Sequence, residues 1–247
     1  MTSKPHTVRR AIAPAIAGLV VATGAAAQSC EVRSGPRPPA VVELYTSEGC
    51  SSCPPADRWL STLKPQDGVL ALSFHVNYWN HLGWRDPFAT TETTARQYRL
   101  KDALGGKYVY TPQVVLNGRD HRDWHGQAAR QLTPLPTATA PALRLSRQGH
   151  QVTAHVAASA ASPMLAGYWA VLQDGLVSKV TRGENAGENL RHDHVVSLYQ
   201  PVAPWPAAQA HRTALTLPAE GNPRVAFVVT QPGLTQPLQA LVLQCPS

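Results

Sequence analysis

Between Pro39 and Leu132 the apolar positions fall into two alternating kinds of run. Ala40 to Tyr45 and Val69 to Val76 are short and almost continuously apolar, the pattern of buried strands. Between them, Cys53 to Leu63 sets Trp59, Leu60 and Leu63 along one side, and Pro54 suits a first turn, so this stretch predicts a helix. Thr91 to Leu104 predicts a second helix, stopped by Gly105-Gly106. Pro112 to Leu116 reads as a third strand. Asn117-Gly118 is a tight hairpin turn, so a short fourth strand returns antiparallel through about Arg119 to Arg122, followed by a last helix from about Gly126 to Leu132. Strands alternating with helices in this way predict an α/β domain over residues 38–133.

Thr133 to Pro141 is rich in Pro, Thr and Ala and has no period, which marks a boundary. Beyond it, Ala142 to Val156, Leu165 to Val180, His194 to Tyr199, Thr213 to Leu217, Arg224 to Thr230 and Leu238 to Leu243 are β-like runs separated by Gly, Pro and Asn. They predict a smaller, mostly-β, sandwich-like domain over residues 142–245. The chain carries no internal repeat.

At the head of the chain Lys4, Arg9 and Arg10 precede a charge-free run, Ile12 to Ala27, that ends in Ala25-Ala26-Ala27. A basic start, a short apolar middle and a small-residue site before Gln28 are the parts of an export signal over residues 1–27. Pro14 and Gly18 interrupt the run, which disfavours the alternative of an uncleaved membrane anchor; no stable membrane span is expected after cleavage. A lipoprotein signal ending at Cys30 fits less well, because Ala27-Gln28-Ser29 lacks the usual Leu. The expected location is periplasmic or secreted, in a bacterium. About 220 residues remain, enough for one large core or two modest ones. The formal charge of +7 falls to +4 once the three leading cations are removed. With no basic run or interleaved basic-aromatic patch, nucleic acid is not implied as a partner.

The four cysteines divide into a close pair, Cys50 and Cys53, and a distant pair, Cys30 and Cys245. In an oxidising compartment the distant pair predicts a structural disulfide tying the two ends together, the alternative being two unpaired surface thiols. Cys50-Ser51-Ser52-Cys53 lies between a predicted strand and a predicted helix. There the first thiol sits at the positive end of the helix dipole and is favoured as thiolate. Cys50 is then the nucleophile, and Cys53 resolves the mixed disulfide. The competing readings are a permanent structural disulfide and half of a zinc site. The predicted order β-α-β-α-β-β-α is that of the thioredoxin fold, in which a cis-proline stands beside the reactive pair. Thr111-Pro112 opens a strand at the matching place, so Pro112 is expected to be cis, with Thr111 presenting its backbone to an extended substrate. Glu43, alone among apolar neighbours, is a candidate proton shuttle for the exchange. It lies one residue farther from the first cysteine than the buried acid of thioredoxins, so a solvated edge carboxylate is the alternative.

His75 ends the second strand and leads into Asn77-Tyr78-Trp79-Asn80-His81-Leu82-Gly83-Trp84, where Trp79 and Trp84 could form a platform for a peptide or apolar ligand; the other reading is a loop folded down with its rings buried. His121 with His125, and His192 with His194, have ligand-like spacings. No carboxylate or cysteine is placed with them in sequence, so both pairs read as solvated polar residues and no metal site is assigned.

Several of these stretches together are distinctive. Val42-Glu43-Leu44-Tyr45-Thr46-Ser47-Glu48-Gly49-Cys50-Ser51-Ser52-Cys53-Pro54-Pro55-Ala56-Asp57, Phe74-His75-Val76-Asn77-Tyr78-Trp79, Leu82-Gly83-Trp84-Arg85-Asp86-Pro87-Phe88 and Tyr110-Thr111-Pro112-Gln113 resemble the secreted thioredoxin-like proteins of the domain-of-unknown-function 1223 family. Gly183-Glu184-Asn185-Ala186-Gly187 and His192-Asp193-His194-Val195-Val196 resemble that family's C-terminal signature. The resemblance implies a thioredoxin-like fold with Cys50 and Cys53 at the reactive position, and brings no known substrate. Taken together, the sequence points to a thiol-disulfide oxidoreductase without cofactor, whose partners are thiols or disulfides of other exported proteins and a redox protein that recycles it. The alternative is a binding or assembly module with a closed disulfide. A third reading is copper or zinc carriage through Cys50, Cys53 and His75.

Overall fold

The computed structural model describes residues 1–2, 29–63, 68–160, 162–218 and 221–246. The run read as an export signal, Ile12 to Ala27, lies outside them. No described helix is long and apolar enough to cross a membrane.

Strands β2 (Ala40–Thr46) and β3 (Val69–His75) are buried at every residue. They pair in parallel from Ala40 opposite Val69 to Thr46 opposite His75. Their sequences are apolar on both faces because both faces are covered. Helix α1 (Pro54–Thr62) seats Ala56, Trp59 and Leu60 on the side that carries Val42 and Leu44. Helix α2 (Thr91–Ala103) lies on the opposite side, where Leu100 joins Val41, Tyr45, Leu72 and Phe74. Thr90 caps α2 by accepting from the Thr93 amide at 3.1 Å. Strand β4 (Gln113–Leu116) runs antiparallel to β2, and β5 (Arg119–Asp120) returns from the Asn117-Gly118 turn, where both residues have positive φ.

From this point the architecture departs from expectation. The chain is not an α/β thioredoxin-like domain followed by a smaller β domain. It is mostly β, with two α-helices among the described residues. The helix expected from Gly126 to Leu132 is replaced by a single 3-10 turn at Ala129–Gln131. That stretch opens on a left-handed glycine (Gly126, φ 70°). One helical turn or two there has too few hydrogen bonds to offset nucleation, and Trp124 already fills the space beside α1, 5.4 Å from the Trp59 ring.

The sheet also continues past β3. Its order is β14-β13-β8-β11-β3-β2-β4-β5, with β8 spanning Met164–Gln173, β11 Val195–Pro206, β13 Arg224–Thr230 and β14 Pro237–Leu243. Four strands precede the Thr133–Pro141 stretch and four follow it. The seam between the two groups is a short parallel contact, Val195 opposite Ser73, reinforced by the Ser73 amide donating to the His194 carbonyl at 2.8 Å. A strand buried on both faces needs a partner on both edges, and β11 supplies the second. A four-stranded sheet of β1 (Ser29–Arg33), β6 (Leu143–Gln148), β7 (Gln151–Val156) and β12 (His211–Thr216) packs against the C-terminal strands of the large one. Leu145, Val152 and Ala154 meet Trp169, Val225 and Phe227 in that layer. A disulfide from Cys30 in β1 to Cys245, just after β14, staples the two sheets together.

The remaining pair, β9 (Leu176–Lys179) and β10 (Asn189–His192), is a separate hairpin. Its connecting segment carries Glu184 and Asn185 back onto the Cys50–Cys53 loop.

Candidate functional site

Chain direction changes sharply between β2 and α1. The Cys50 amide donates to Ser47 O at 3.1 Å and the Cys53 amide to Cys50 O at 3.2 Å. Cys53 is the N-cap of α1, and prolines at the first helical positions remove N–H groups that would have no partner. Cys50 and Cys53 form a disulfide of 2.09 Å across this turn. Both cysteines are 0% exposed, whereas Ser51 and Ser52 between them face solvent.

Two residues of the distant hairpin hold the turn in place. The Asn185 side-chain amide donates to Glu48 O at 2.8 Å and to Cys50 O at 3.0 Å. Glu184 accepts from the Ser51 amide at 3.0 Å and the Ser51 hydroxyl at 2.7 Å, which holds its carboxyl below the usual range. Trp79 flanks the turn on another side: a Cβ built on Gly49 would lie 2.8 Å from the Trp79 Cβ, so only glycine fits. The Trp79 indole donates to the Thr111 hydroxyl at 2.8 Å. The Thr111–Pro112 bond is cis. Because Gln113 lies opposite Tyr45, that bond sits level with the chain leaving β2 for the disulfide turn. Pro112 also opens a surface groove of about 310 Å³ lined by Tyr108, Tyr110, His121, Arg122 and Trp124.

Behind the disulfide lies a buried polar cluster. His75 Nδ1 donates to Asp86 at 2.7 Å, and the same carboxylate oxygen accepts from the Glu48 amide at 2.9 Å. His192 Nε2 donates to Glu48 at 3.1 Å, and the other Glu48 oxygen accepts from the Trp84 indole at 2.8 Å. Asp57, one turn into α1, accepts from Thr46 at 3.1 Å and lies 3.9 Å from His192 Nδ1. The two imidazole rings meet edge to face at 4.7 Å. Burial would lower the His75 pKa, but the Asp86, Asp57 and Glu48 carboxylates together outweigh it and raise it. Burial is also the largest influence on Asp57, whose carboxyl is raised against the pull of His192 and His75. For Asp86 burial again pushes upward, yet His75 and the amides of Glu48 and Phe88 bring its carboxyl below the usual value.

The expected site residues around the disulfide therefore fall into two groups, with Glu43 apart from both. Cys50, Cys53, Trp79, Thr111 and Pro112 form one wall, and His75 and Trp84 belong to the buried cluster behind it. Trp79 and Trp84 are half-buried with their N–H groups already engaged. Glu43 belongs to neither group and is reassigned: its oxygens accept from Arg96 Nε at 3.2 Å and Nη2, from Tyr45 at 2.8 Å and from Tyr168 at 3.0 Å. It points to the α2 side of the sheet, opposite α1, with both oxygens engaged. His192 and His194 are likewise corrected, since both are buried rather than solvated. His192 meets carboxylates from far away in sequence, and His194 Nδ1 accepts from Arg224 at 3.1 Å. His121 bonds Gln127, and His125 stacks on Trp124 at 3.8 Å; neither reaches the cluster. No local pattern sets Glu48, Asp57, Asp86, Glu184 and Asn185 apart in the sequence, although all five lie inside the distinctive stretches quoted above.

Residues 41–231 match the family described as "Protein of unknown function (DUF1223)". The chain belongs to the DUF1223 family. Among solved structures, this DUF1223 chain is similar to protein AGR_C_4864 from Agrobacterium tumefaciens, at 30% identity and a TM-score of 0.62, covering 83% of this chain and 93% of that one. It is also similar in fold to HBP35 of Porphyromonas gingivalis, at 13% identity and a TM-score of 0.54, over 85% of this chain and 76% of that one. No curated protein matches it.

Proposed function

We propose that this DUF1223 protein is an exported thiol-disulfide exchange protein, acting on thiols or disulfides of other exported proteins through Cys50 and Cys53. The observation that carries the reading is the disulfide closed across the head of α1, with Cys53 as N-cap and Thr111 tied to the same turn through Trp79. The helix N-terminus favours a thiolate at that position. In the oxidising direction a partner thiolate attacks Cys50 Sγ, forming a mixed disulfide as Cys53 leaves as thiolate. A second partner thiolate then attacks the partner's sulfur and Cys50 leaves. The partner loses two electrons to form its disulfide, the pair gains them, and the protons released by the partner end on the two thiols. The reducing direction is the reverse. The groove opening at Pro112 offers a place for the partner chain. Export is supported by the basic and apolar head of the sequence and by two disulfides.

Complete burial of both cysteines favours a second reading, a binding or assembly module whose disulfide stays closed. Equilibration of purified protein with glutathione buffers, with free thiols counted, separates the two. A potential between about −120 and −270 mV supports exchange, whereas one below about −300 mV marks a permanent structural bond.

A further inference from the structure

The cluster behind the disulfide has the composition and the unpaired atoms of a cation site. One donor atom from each of Asp57, His75 and His192 lies within 4.8 Å of the other two. Among the described residues, His75 Nε2 and His192 Nδ1 are buried nitrogens with no hydrogen-bond partner. The residues themselves are 0% and 2% exposed. A buried polar atom left in this way is costly unless something binds it.

The opposite nitrogen of each ring is held by a carboxylate, His75 Nδ1 by Asp86 and His192 Nε2 by Glu48. A carboxylate on the far nitrogen fixes the tautomer, turns the other lone pair inward and makes it a stronger donor, which is the outer shell of histidine metal sites. The carboxylates are fixed in turn, Asp86 by two backbone amides and Glu48 by Trp84. Three buried acids, Glu48, Asp57 and Asp86, surround two imidazoles, a set of oxygen and nitrogen donors that suits a divalent cation.

We propose that Asp57, His75 and His192 bind a first-row divalent cation, zinc fitting the two nitrogens and one oxygen best. Bonds of about 2.0–2.2 Å bring tetrahedral donors to about 3.4 Å from one another. The 3.9 Å between His192 Nδ1 and Asp57 Oδ1 thus closes by about half an ångström, within reach of side-chain rotation. The three ligands come from α1, the end of β3 and the end of β10, so the ion would cross-link the helix that starts at Cys53, the central sheet and the hairpin that carries Asn185. The site differs from one built on Cys50 and Cys53, because its ligands remain available while the disulfide is closed.

The test uses the full mature protein with the disulfide closed, verified by the absence of free thiol, so that neither cysteine can ligate and the exchange reading is not at stake. Chelator-stripped protein is dialysed against zinc and its metal content measured. About one zinc per chain is expected, and X-ray absorption of the loaded wild type should show two imidazoles and oxygen without sulfur. Glu48→Gln, which leaves all three ligands in place, should weaken binding about 10- to 100-fold. Less than about a tenth of an equivalent bound by folded wild-type protein, or a first shell without imidazole, would overturn the proposal.

Discussion

Glu43 and Arg96 lie face to face in the interior, each side chain only 3% exposed, with the guanidinium stacked 4.2 Å from the Tyr168 ring centroid. The pair joins the first strand of the large sheet to α2, and through Tyr168 it reaches a C-terminal strand. Burial opposes the charge on Arg96, but Glu43 and the surrounding tyrosines outweigh it and keep the guanidinium charged. Glu43→Gln is expected to destabilise the fold by about 3–5 kcal/mol, because an uncompensated cation stays buried. The double variant Glu43→Leu/Arg96→Met should lose less than the sum of the two single variants, measured by denaturant unfolding.

The Asn185 side-chain amide donates to the Glu48 carbonyl and shares the Cys50 carbonyl with the Cys53 amide. Asn185→Leu keeps the volume and strips the Glu48 carbonyl of this donor, at a cost of about 1–3 kcal/mol. The variant's Cys50–Cys53 bond should also be reduced faster by dithiothreitol than that of the parent; equal rates would show that the strap does not shield the bond.

Gly49 has no room for a methyl group. In Gly49→Ala the new Cβ would meet the Trp79 Cβ at 2.8 Å and the Trp79 carbonyl at 3.3 Å, so the indole must move and its bond to Thr111 must break. A loss of about 1–3 kcal/mol is expected, with a change in near-ultraviolet circular dichroism from the displaced ring.

The Glu184 carboxyl is held below its usual range by Ser51. A carboxyl lowered in the folded state keeps its contribution at and above the unfolded pKa and loses it as pH falls through the folded value. The clamp on Ser51 should therefore persist through the ordinary carboxylate range, above about pH 4, and release only in stronger acid. Reduction of the disulfide by a water-soluble phosphine should speed up below that point in the parent. Glu184→Gln should react faster at neutral pH and show no such step.

Cys30 and Cys245 close a separation of 215 residues. Replacing both with Ser should cost about 2–5 kcal/mol in denaturant unfolding while leaving the Cys50–Cys53 potential unchanged.

Strand positions were largely legible because burial on one or both faces writes itself into local apolar patterns. Arg224 to Thr230 reads as a strand with the bounds the structure gives it. Pairing was not legible. The contact that merges the two expected domains is one register pair between β3 and β11, and no period in either strand announces it. The cluster behind the disulfide is hidden in the sequence for a related reason. His192 reads as solvated beside Arg191 and Asp193, and its acid partner Glu48 is 144 residues away. Glu43 was visible as an anomaly among apolar neighbours, but its partner Arg96 sits in a helix whose other charges suggest a solvent-facing surface. The sign of the anomaly was readable and its role was not.

The β3–β11 seam also sets an order in time. Synthesis proceeds from the N-terminus, so β3 emerges long before Val195 exists to cover its outer edge. In that interval the nascent chain carries an apolar strand ready to pair with any exposed backbone it meets. The outer edge of β3 gains its cover only when β11 arrives, and the Cys30–Cys245 bond can form only after the last strand, β14, has emerged.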